Sequence, residues 1–332
     1  MNFGDDLNRW MWERFLPGLL DEQDGCLFLG IGTVLGGGLP AADRYIVFSS
    51  GAGYGPLPPN FGSPAWRVVC VRGPLTAKVL GLPAEKAVCD GAVLLSTLAE
   101  LQPIPEAERK GVLFMPHFEA LESGDWREAC RRAGVEFLDP HLPSEETCQR
   151  IRGAKLVLAD AMHAAIVADA LRVPWVPLIT SNRINTFKWL DWSLSLGIRY
   201  RPLQLPSLSL LEAIRNAGLV LHGGRHGLPE RTEAAALKHF QAAARIQERP
   251  WWKSYRRNVR RLAYFAPARV LGNKAFAPVV RAGTERRLDL AAEALREAAR
   301  LPGYLSEENI LRGKAAGLQE RLEQVRKLAR RS

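Results

Sequence analysis

The chain has 332 residues, of which 47% are hydrophobic and 24% charged, and its formal net charge is +10. This length suggests two domains of roughly 100–200 residues each, and the composition excludes a wholly disordered chain, a collagen and a disulfide-rich miniprotein. No run approaches the ~20 apolar residues of a membrane-spanning helix, and the N-terminus lacks the apolar stretch of a secretory signal. The five cysteines form no CxxC pair. We therefore expect a cytoplasmic protein without a metal site.

Short apolar runs alternate with helical patterns along most of the chain. The predicted strands are 26–30, 45–50, 67–71, 111–116, 135–139, 155–160 and 175–179. The predicted helices between them are 75–81, 126–134, 144–154 and 163–172. Runs that are apolar on both faces suit buried parallel strands, and their alternation with helices indicates Rossmann-like α/β sheets. From about residue 230 the pattern predicts helices only.

Three regions follow from this pattern. A proline-flanked segment, EAERK at 106–110, predicts a linker between a Rossmann-like domain over 1–105 and a second one over 106–228. A basic helical extension completes the chain over 229–332. The positive charge belongs to the extension, because residues 240–332 hold 21 Lys/Arg against 9 Asp/Glu. A basic tail indicates an anionic partner, a solvated helical face, or both.

Open parallel sheets bind ligands beyond the carboxyl ends of their strands, so polar residues that follow strands are candidates. The loop GIGTVLGGG (30–38) follows the first strand. It is not a dinucleotide-binding fingerprint, because Leu35 occupies the position of the third glycine of GxGxxG. A second glycine-rich loop, SSGAGYG (49–55), follows the second strand. Each loop alone fits a simple glycine-rich turn as well as it fits a ligand-binding loop. Two such loops after neighbouring strands favour a ligand-binding surface. The anion-binding candidates of the first loop are Gly30, Gly32 and Thr33.

Two further candidates follow the third and fourth strands. Arg72 ends a strand directly before a helix that Pro74 can open. Its guanidinium can hold a carboxylate or phosphate of a ligand, and the alternative is a pair with a protein carboxylate. His117 follows the fourth strand, and a lone histidine there is more often structural than catalytic.

The strongest candidate is the segment 155–178. A predicted strand ends at Asp160, and His163 lies in the first turn of the next helix. The positive end of a helix favours neutral imidazole, which can accept a proton. A bound dianion would raise the pKa of His163 and let it donate that proton. The alternative is a core histidine that is hydrogen-bonded to Asp160.

The segment NRINTFKWLDW (182–192) follows the last predicted strand. It supplies Arg183 and Lys188 as cations and Trp189 as an aromatic side chain, with Asn182 beside them. An aromatic ring next to a lysine suits a sugar face and an anion, and it suits a domain interface equally well.

Together these pieces resemble the polysaccharide pyruvyl transferase family, in particular its exopolysaccharide-type members. They occur in the order of the family and cover roughly residues 1–195. The matching segments are NFGDDLN (2–8), GIGTVLGG (30–37), SSGAGYG (49–55), VRGPLTAKVLGL (71–82), CDGAVLL (89–95), MPH (115–117), DAMHAAIVADALRVPWVPL (160–178) and FKWLDW (187–192).

The resemblance implies two Rossmann-like domains that face a cleft, as in GT-B glycosyltransferases, with the donor and catalytic site in the second domain. It also implies transfer of a pyruvyl group from phosphoenolpyruvate to a hydroxyl pair of a sugar, commonly as a ketal on a lipid-linked repeat unit. Phosphoenolpyruvate is then a substrate, and no cofactor is expected. By the same match His163 is the catalytic histidine and Arg72 an anion-binding arginine, and we expect Asp160 to orient or tune His163.

Sets of donor-binding and acceptor-binding residues follow from the same reading. Some relatives carry an arginine two residues before the histidine, where this chain has Ala161, so one donor contact must come from elsewhere, with Arg183 or Lys188 as candidates. The predicted donor-binding residues are Arg72, Gly30, Gly32, Thr33, His117, Arg183 and Lys188. The predicted acceptor-binding residues are Asn2, Asp5, Asp6 and Trp189.

The extension contains WWKSYRRNVRRLAYF (251–265), which combines aromatic and basic residues. This combination is typical of helices in a membrane interface, and would hold the protein on the inner face of the plasma membrane. A helix that docks its aromatics on the N-terminal domain fits equally well. No nucleic-acid-binding motif accompanies the charge. Residues 283–300 and 312–331 predict charged amphipathic helices, with a coiled pair as one arrangement.

Two other functions remain open from the sequence. A GT-B glycosyltransferase that uses a nucleotide sugar shares the expected architecture and basic tail. A non-catalytic, membrane-associated scaffold with the same fold is favoured by Ala161, where some relatives have an arginine.

Overall fold

The structure is a computed structural model, and it describes residues 2–20, 25–36, 38–58, 60–122, 124–221 and 223–329. Gly37 of the first glycine-rich loop and residues 330–331 of the last predicted helix lie outside the described residues, as does the side chain of Tyr264.

The first sheet has three parallel strands in the order β1-β2-β3. They are β1 (Cys26–Leu29), β2 (Arg44–Ser50) and β3 (Trp66–Val71). A helix near the start of the chain, α1 (Phe3–Phe15), packs against this sheet, because Trp12 makes edge-on ring contacts with Phe28 and Phe48.

The second sheet has five parallel strands in the order β5-β4-β6-β7-β8. They are β4 (Val112–Met115), β5 (Glu136–Phe137), β6 (Leu156–Ala159), β7 (Trp175–Ile179) and β8 (Leu203–Gln204). All seven predicted strands are confirmed. The sequence reading missed β8, because both of its residues are exposed and form no apolar run.

The four predicted helices are present with slightly shorter bounds. They are α2 (Pro74–Val79), α3 (Trp126–Ala133), α4 (Ser144–Arg152) and α5 (Met162–Ala170), and α6 (Thr186–Ser195) follows β7. Helix α4 lacks a capping side chain of its own. Instead the backbone N–H and the hydroxyl of Ser144 both donate to the carboxylate of Asp6 on α1, which satisfies a backbone donor at the start of the helix.

A continuous buried cluster extends from the first sheet to the second. Helix α5, which is almost wholly buried, packs against a 3₁₀ segment, Gly91–Thr97, of the first unit. The predicted linker is tied down as well, because the buried guanidinium of Arg109 donates to the carbonyls of Ile104 and Arg172. The two α/β units therefore share one core, and the domain boundaries stay a prediction.

The described chain after β8 is mainly helical, with one isolated bridge between Tyr304 and Trp175 of β7, and this agrees with the helices predicted from about residue 230. The helices are α7 (Leu210–Leu221), α8 (Glu233–Gln247), α9 (Trp252–Arg260), α10 (Ala266–Leu271), α11 (Ala277–Ala298) and α12 (Glu308–Ala329), and a π-helical turn, Arg261–Phe265, joins α9 to α10. Helix α11 packs on α3 beside the second sheet, whereas α12 packs on β3 and the Gly91–Thr97 segment. The two helices therefore do not form the coiled pair that was one expected arrangement. Among the described helices, none has the length and apolar character to cross a bilayer.

Candidate active site

A cavity of about 1190 Å³ lies where the loops after β1, β2, β4, β6 and β7 meet. This is the carboxyl-terminal side of both parallel sheets, where open α/β folds bind ligands. Pockets for small ligands usually measure ~300–1,000 Å³. The cavity therefore has room for more than a three-carbon donor.

Most of the predicted site residues meet in this cavity. The predicted residues that line it are Asn2, Asp5, Gly32, Thr33, His117, Asp160, His163, Arg183, Lys188 and Trp189. Gly30, Arg72 and Asp6 are not among the lining residues, and each has a structural partner that explains its position.

His163 is held in the first turn of α5 and keeps 14% of its side chain exposed. Its Nε2 atom has no hydrogen-bond partner and lies 3.9 Å from Oδ2 of Asp90. On the other side of the ring Gly4 touches Nδ1 so closely that a Cβ at position 4 would overlap it. The glycine of the NFGDDLN motif is thus required by the imidazole.

The surroundings of His163 favour its neutral form. Burial is the main cause, and the nearby charges of Lys188 and Arg72 add to it, so that the pKa of His163 falls to about 3. At neutral pH the imidazole is therefore uncharged and has a free nitrogen lone pair or N–H, depending on its tautomer. A negatively charged ligand beside Lys188 would oppose part of this shift.

Asp90 is a site residue that the sequence reading missed. It is fully buried, its Oδ1 accepts from the N–H of Ala92, and its Oδ2 has no partner. Burial raises the pKa of Asp90 to about 6, although Arg72 opposes the shift. Asp90 follows a segment that joins β3 through an isolated bridge between Val71 and Ala87, so the rule of polar residues after strands would have found it had this short strand been recognised.

The carboxylate of Asp160 forms its hydrogen bonds with Thr180 and His117 rather than with His163, which corrects the expectation that it orients the imidazole directly. Its Oδ1 accepts from the N–H of Thr180, and its Oδ2 accepts from the hydroxyl of Thr180 and the N–H of His117. The carboxyl group of Asp160 therefore ties together the loops that follow β4, β6 and β7. The carboxylate nearest to Nε2 of His163 belongs to Asp90.

Arg72 is fully buried and forms an ion pair with Asp191, with Nε 3.0 Å from Oδ2. Its other nitrogens donate to the hydroxyl of Thr33 and the carbonyl of Ala52. This position corrects the expectation of a direct contact between Arg72 and the donor. The arginine instead fixes Thr33, which lines the cavity, and so positions the floor on which an anion would rest.

Gly30 and Asp6 also have structural reasons for their positions. A Cβ at Gly30 would overlap the indole nitrogen of Trp12, so this glycine allows helix α1 to approach β1. Asp6 holds Ser144 at the start of α4, and the N–H of Ser144 is the main cause of its lowered pKa. Packing explains the glycine at position 30 and capping explains the aspartate at position 6, and their roles as donor and acceptor ligands stay predictions.

Lys188 and Arg183 bring positive charge to the cavity. Nζ of Lys188 lies 3.3 Å from the hydroxyl of Tyr54, and Arg183 donates to Glu119 at 2.6 Å. Burial, Lys188 and Arg183 together lower the pKa of His117 to about 3. Lys188 and Arg183, the two cations predicted to replace an arginine at position 161, therefore line the same cavity as His163.

The expected acceptor residues lie at the start of α1 and on α6. The side chain of Asn2 caps α1 and donates to Asp5 at 2.5 Å. Trp189 lines the cavity but is only 2% exposed, and one of its faces stacks on Tyr200. The polar pair near the start of the chain therefore offers more accessible surface to a sugar than the tryptophan does.

A second group of cavity residues comes from the basic extension, more than 80 positions after His163 in the chain. Sequence reasoning placed this segment at a membrane or against the N-terminal domain. The structure anchors it on the second unit, where the ring of Trp252 packs against Gly223. The basic residues of this segment that line the cavity are Lys253, Arg256, Arg257, Arg260 and Arg261.

Comparison with known proteins identifies the family of this chain. The family model described as polysaccharide pyruvyl transferase matches residues 44–182, a span that includes Asp90 and His163. The succinoglycan biosynthesis protein ExoV of Rhizobium meliloti (strain 1021) is 40% identical over 214 residues, which are 64% of this chain and 67% of ExoV. No solved structure matches. The chain belongs to the polysaccharide pyruvyl transferase family, so the resemblance read from the sequence is confirmed.

Proposed function

We propose that this protein transfers the pyruvyl group of phosphoenolpyruvate to two hydroxyls of one sugar in an exopolysaccharide repeat unit, which is carried on a lipid. The product is a cyclic ketal, and phosphate is released. The observation that carries this proposal is the buried, neutral imidazole of His163, which lines a cavity together with several cationic side chains. The membership of a pyruvyl transferase family supports the group that is transferred.

The donor has a phosphate and a carboxylate, so its site must supply positive charge and N–H groups. Lys188 and Arg183 supply the charge from α6 and the preceding loop, and the backbone at Gly32 and Thr33 faces the same space. Gly32 has a φ of +114°, a conformation that a side chain would strain. The first glycine-rich loop can therefore approach an anion closely.

The proposed reaction balances without a redox partner. A proton is added to the methylene carbon of phosphoenolpyruvate, which becomes a methyl group, and the adjacent carbon becomes an oxocarbenium-like centre. One sugar hydroxyl bonds to this centre, the carbon–oxygen bond to phosphate breaks, and the second hydroxyl closes the ring. Of the two hydroxyl protons that are lost, one replaces the proton used on the methylene carbon and the other leaves with phosphate.

In this scheme His163 moves the proton. In the free protein its lowered pKa keeps the imidazole neutral, so it can accept a proton from a sugar hydroxyl. Bound phosphoenolpyruvate would raise that pKa by its negative charge and let the imidazolium donate to the methylene carbon. Asp90, whose Oδ2 is 3.9 Å from Nε2, stabilises the charged form from behind the ring.

The remaining space and charge support an acceptor that also carries phosphate. The five basic side chains from residues 253–261 face the cavity, and no ion pair to any of them occurs within the described part of the chain. A small donor that is bound by Lys188 and Arg183 would not neutralise the charge of these five basic side chains. A lipid-linked saccharide, with a phosphate ester beside its sugars, would fill the cavity and offset the charge. The two parallel sheets with a common cavity also fit the GT-B-like arrangement of this proposal.

A donor comparison tests the proposed function. The purified protein would be given a lipid-linked oligosaccharide fraction from exopolysaccharide-producing cells together with either phosphoenolpyruvate or a set of nucleotide sugars. We expect acceptor-dependent release of phosphate from phosphoenolpyruvate and a ketal methyl signal in the NMR spectrum of the product. Release of nucleotide from a nucleotide sugar instead would establish a glycosyltransferase, and turnover of none of these donors would favour the scaffold.

A further inference from the structure

Large apolar side chains are concentrated on the surface of one part of the extension, residues 251–281, which we call the basic–apolar segment. Seven of the exposed large hydrophobic residues fall within these 31 positions. They are Trp251 (54% exposed), Tyr255 (41%), Leu262 (71%), Phe265 (52%), Val270 (54%), Phe276 (42%) and Val279 (64%). Val220 and Leu221 at the end of α7 are exposed as well, and the hydroxyl of Tyr255 donates to the carbonyl of Leu221, so the apolar surface is continuous with α7.

The helical geometry of the segment collects several of these side chains on one face. The backbone stays helical from α9 through the π-helical turn into α10. Trp251, Tyr255, Leu262 and Phe265 follow one another at intervals of four, seven and three residues, which place side chains on the same side of a helix. The side chains of the stripe are exposed, with Phe265 also at the edge of the cavity, while the neighbouring Trp252 is buried and anchors the helix.

The charge of the segment has one sign. Residues 251–281 contain eight Lys/Arg and no Asp/Glu. Arg269, Lys274 and Arg281 are exposed beside the apolar side chains of α10 and the start of α11. A protein partner would need an apolar surface that fits the stripe and is bordered by acidic residues only. An anionic bilayer offers an apolar interior beneath negatively charged headgroups, and it needs no matching shape.

We propose that the basic–apolar segment is a docking surface for an anionic lipid bilayer, with its apolar side chains in the interface and its exposed basic side chains among the headgroups. This inference goes beyond the proposed function and does not depend on it. The opposite side of α9 lines the cavity with basic side chains. Docking in this way places the cavity beside the headgroups, where a lipid-linked substrate would be found.

Sedimentation with lipid vesicles tests the proposal on the full chain. The vesicles contain phosphatidylcholine alone, or phosphatidylcholine with an equal amount of phosphatidylglycerol. We expect the protein to sediment with the anionic vesicles and to stay in solution with the neutral ones. Each basic residue near an anionic surface contributes ~1 kcal/mol, or about five-fold in partitioning. The variant Arg269→Gln/Lys274→Gln/Arg281→Gln should therefore bind at least about ten-fold more weakly.

A second variant tests the apolar part and has a matched control. Leu262→Ser/Val270→Ser/Val279→Ser removes three exposed apolar side chains from the segment and should also reduce binding about ten-fold or more. The control, Leu290→Ser/Leu301→Ser/Leu305→Ser, removes three exposed leucines elsewhere and should bind as the wild type does. For the basic variant the control is Lys110→Gln/Lys155→Gln/Arg300→Gln, which makes the same change of charge at exposed positions outside the segment.

Three results would overturn the proposal. Wild-type protein could remain in solution with both kinds of vesicle. Each control could lose as much binding as its test variant, so that binding depends on general charge or solubility. Finally, the wild type could elute as a dimer from size-exclusion chromatography and the Leu262→Ser/Val270→Ser/Val279→Ser variant as a monomer, in which case the apolar stripe is an interface between two copies of this chain.

Discussion

The described residues contain two buried pairs of a basic and an acidic side chain, which differ in how completely their polar atoms are hydrogen-bonded. Arg72 and Asp191 are in contact at 3.0 Å, and the backbone and hydroxyl of Thr76 also donate to the Asp191 carboxylate. His163 and Asp90 stand 3.9 Å apart, and both facing atoms lack a hydrogen-bond partner. The first pair is closed and the second is open.

The difference separates architecture from chemistry. A buried polar atom without a partner costs ~1–3 kcal/mol, so folded proteins keep few of them. The cost of burying the closed pair is offset by hydrogen bonds that join the loops after β1 and β2 to α6. The facing atoms of the open pair form no hydrogen bonds in the free protein, and its histidine lines the cavity. We therefore assign proton transfer to His163 with Asp90, and positioning to Arg72 with Asp191.

Removing the imidazole of the open pair should have the largest effect. We expect His163→Ala to lower kcat for pyruvyl transfer by ~10²–10⁴-fold, the usual contribution of a general acid–base group, while the protein remains folded and still binds phosphoenolpyruvate. Steady-state kinetics and a ligand-induced thermal shift measure the two quantities. His141→Ala, which removes a half-exposed imidazole outside the cavity, is the control. Nearly normal turnover in His163→Ala would exclude this residue from the mechanism.

Breaking the closed pair should mainly cost stability. Arg72→Met leaves the Asp191 carboxylate buried without its cation, which typically destabilises a protein by ~3–5 kcal/mol. Chemical denaturation gives the free energy of unfolding. The control Lys78→Met breaks an ion pair with Glu233 in which both side chains are about half exposed, and should cost at most ~1 kcal/mol. Equal losses in the two variants would show that the buried pair has no special structural weight.

Asp90→Asn should change how stability depends on pH. Because burial raises the pKa of Asp90 from 3.8 to about 6, the folded state keeps a proton that the unfolded chain has already released. The stability that this neutral carboxyl contributes is full below about pH 3.8 and is lost as the pH rises through 6. The variant has no such loss. Its free energy of unfolding should therefore gain about 2 kcal/mol on that of the wild type between pH 4 and pH 7, and a gap that stays constant would contradict the assignment.

A smaller effect is expected from the residue that supports the imidazole on its other side. Gly4→Ala introduces a Cβ that would overlap Nδ1 of His163, so the ring must shift, and kcat should fall by about 10-fold or more. Gly313→Ala on α12 is the matched control, because no heavy atom lies within 4 Å of a Cβ at that position. Equal activity of the two variants would show that the position of the His163 ring is not critical.

Local patterns predicted the fold well and the contacts of the site less well. The seven strands were found because each is a short apolar run, and His163 was found because it follows the strand β6 in the first turn of a helix. The burial of Arg72 could not be found in this way, because its partner Asp191 lies 119 positions further along the chain.

Long-range packing also explains the other differences. Asp90 was missed because the segment before it pairs with β3 through one bridge only among the described residues. The arginines of α9 were assigned to a surface, because nothing local indicates that the helix folds back over a cavity that is lined mostly by residues 2–226. Their place depends on Trp252, which packs against Gly223.

The origin of the proton on the donor carbon tests the central claim most directly. Phosphoenolpyruvate and the saccharide acceptor would react in D₂O, and the methyl group of the ketal would be analysed by NMR and mass spectrometry. If His163 carries an exchangeable proton to the methylene carbon, the wild type should place one deuterium in each methyl group, and His163→Ala should form almost no product in the same time. A methyl group without deuterium, or product formed by His163→Ala at the wild-type rate, would contradict the account.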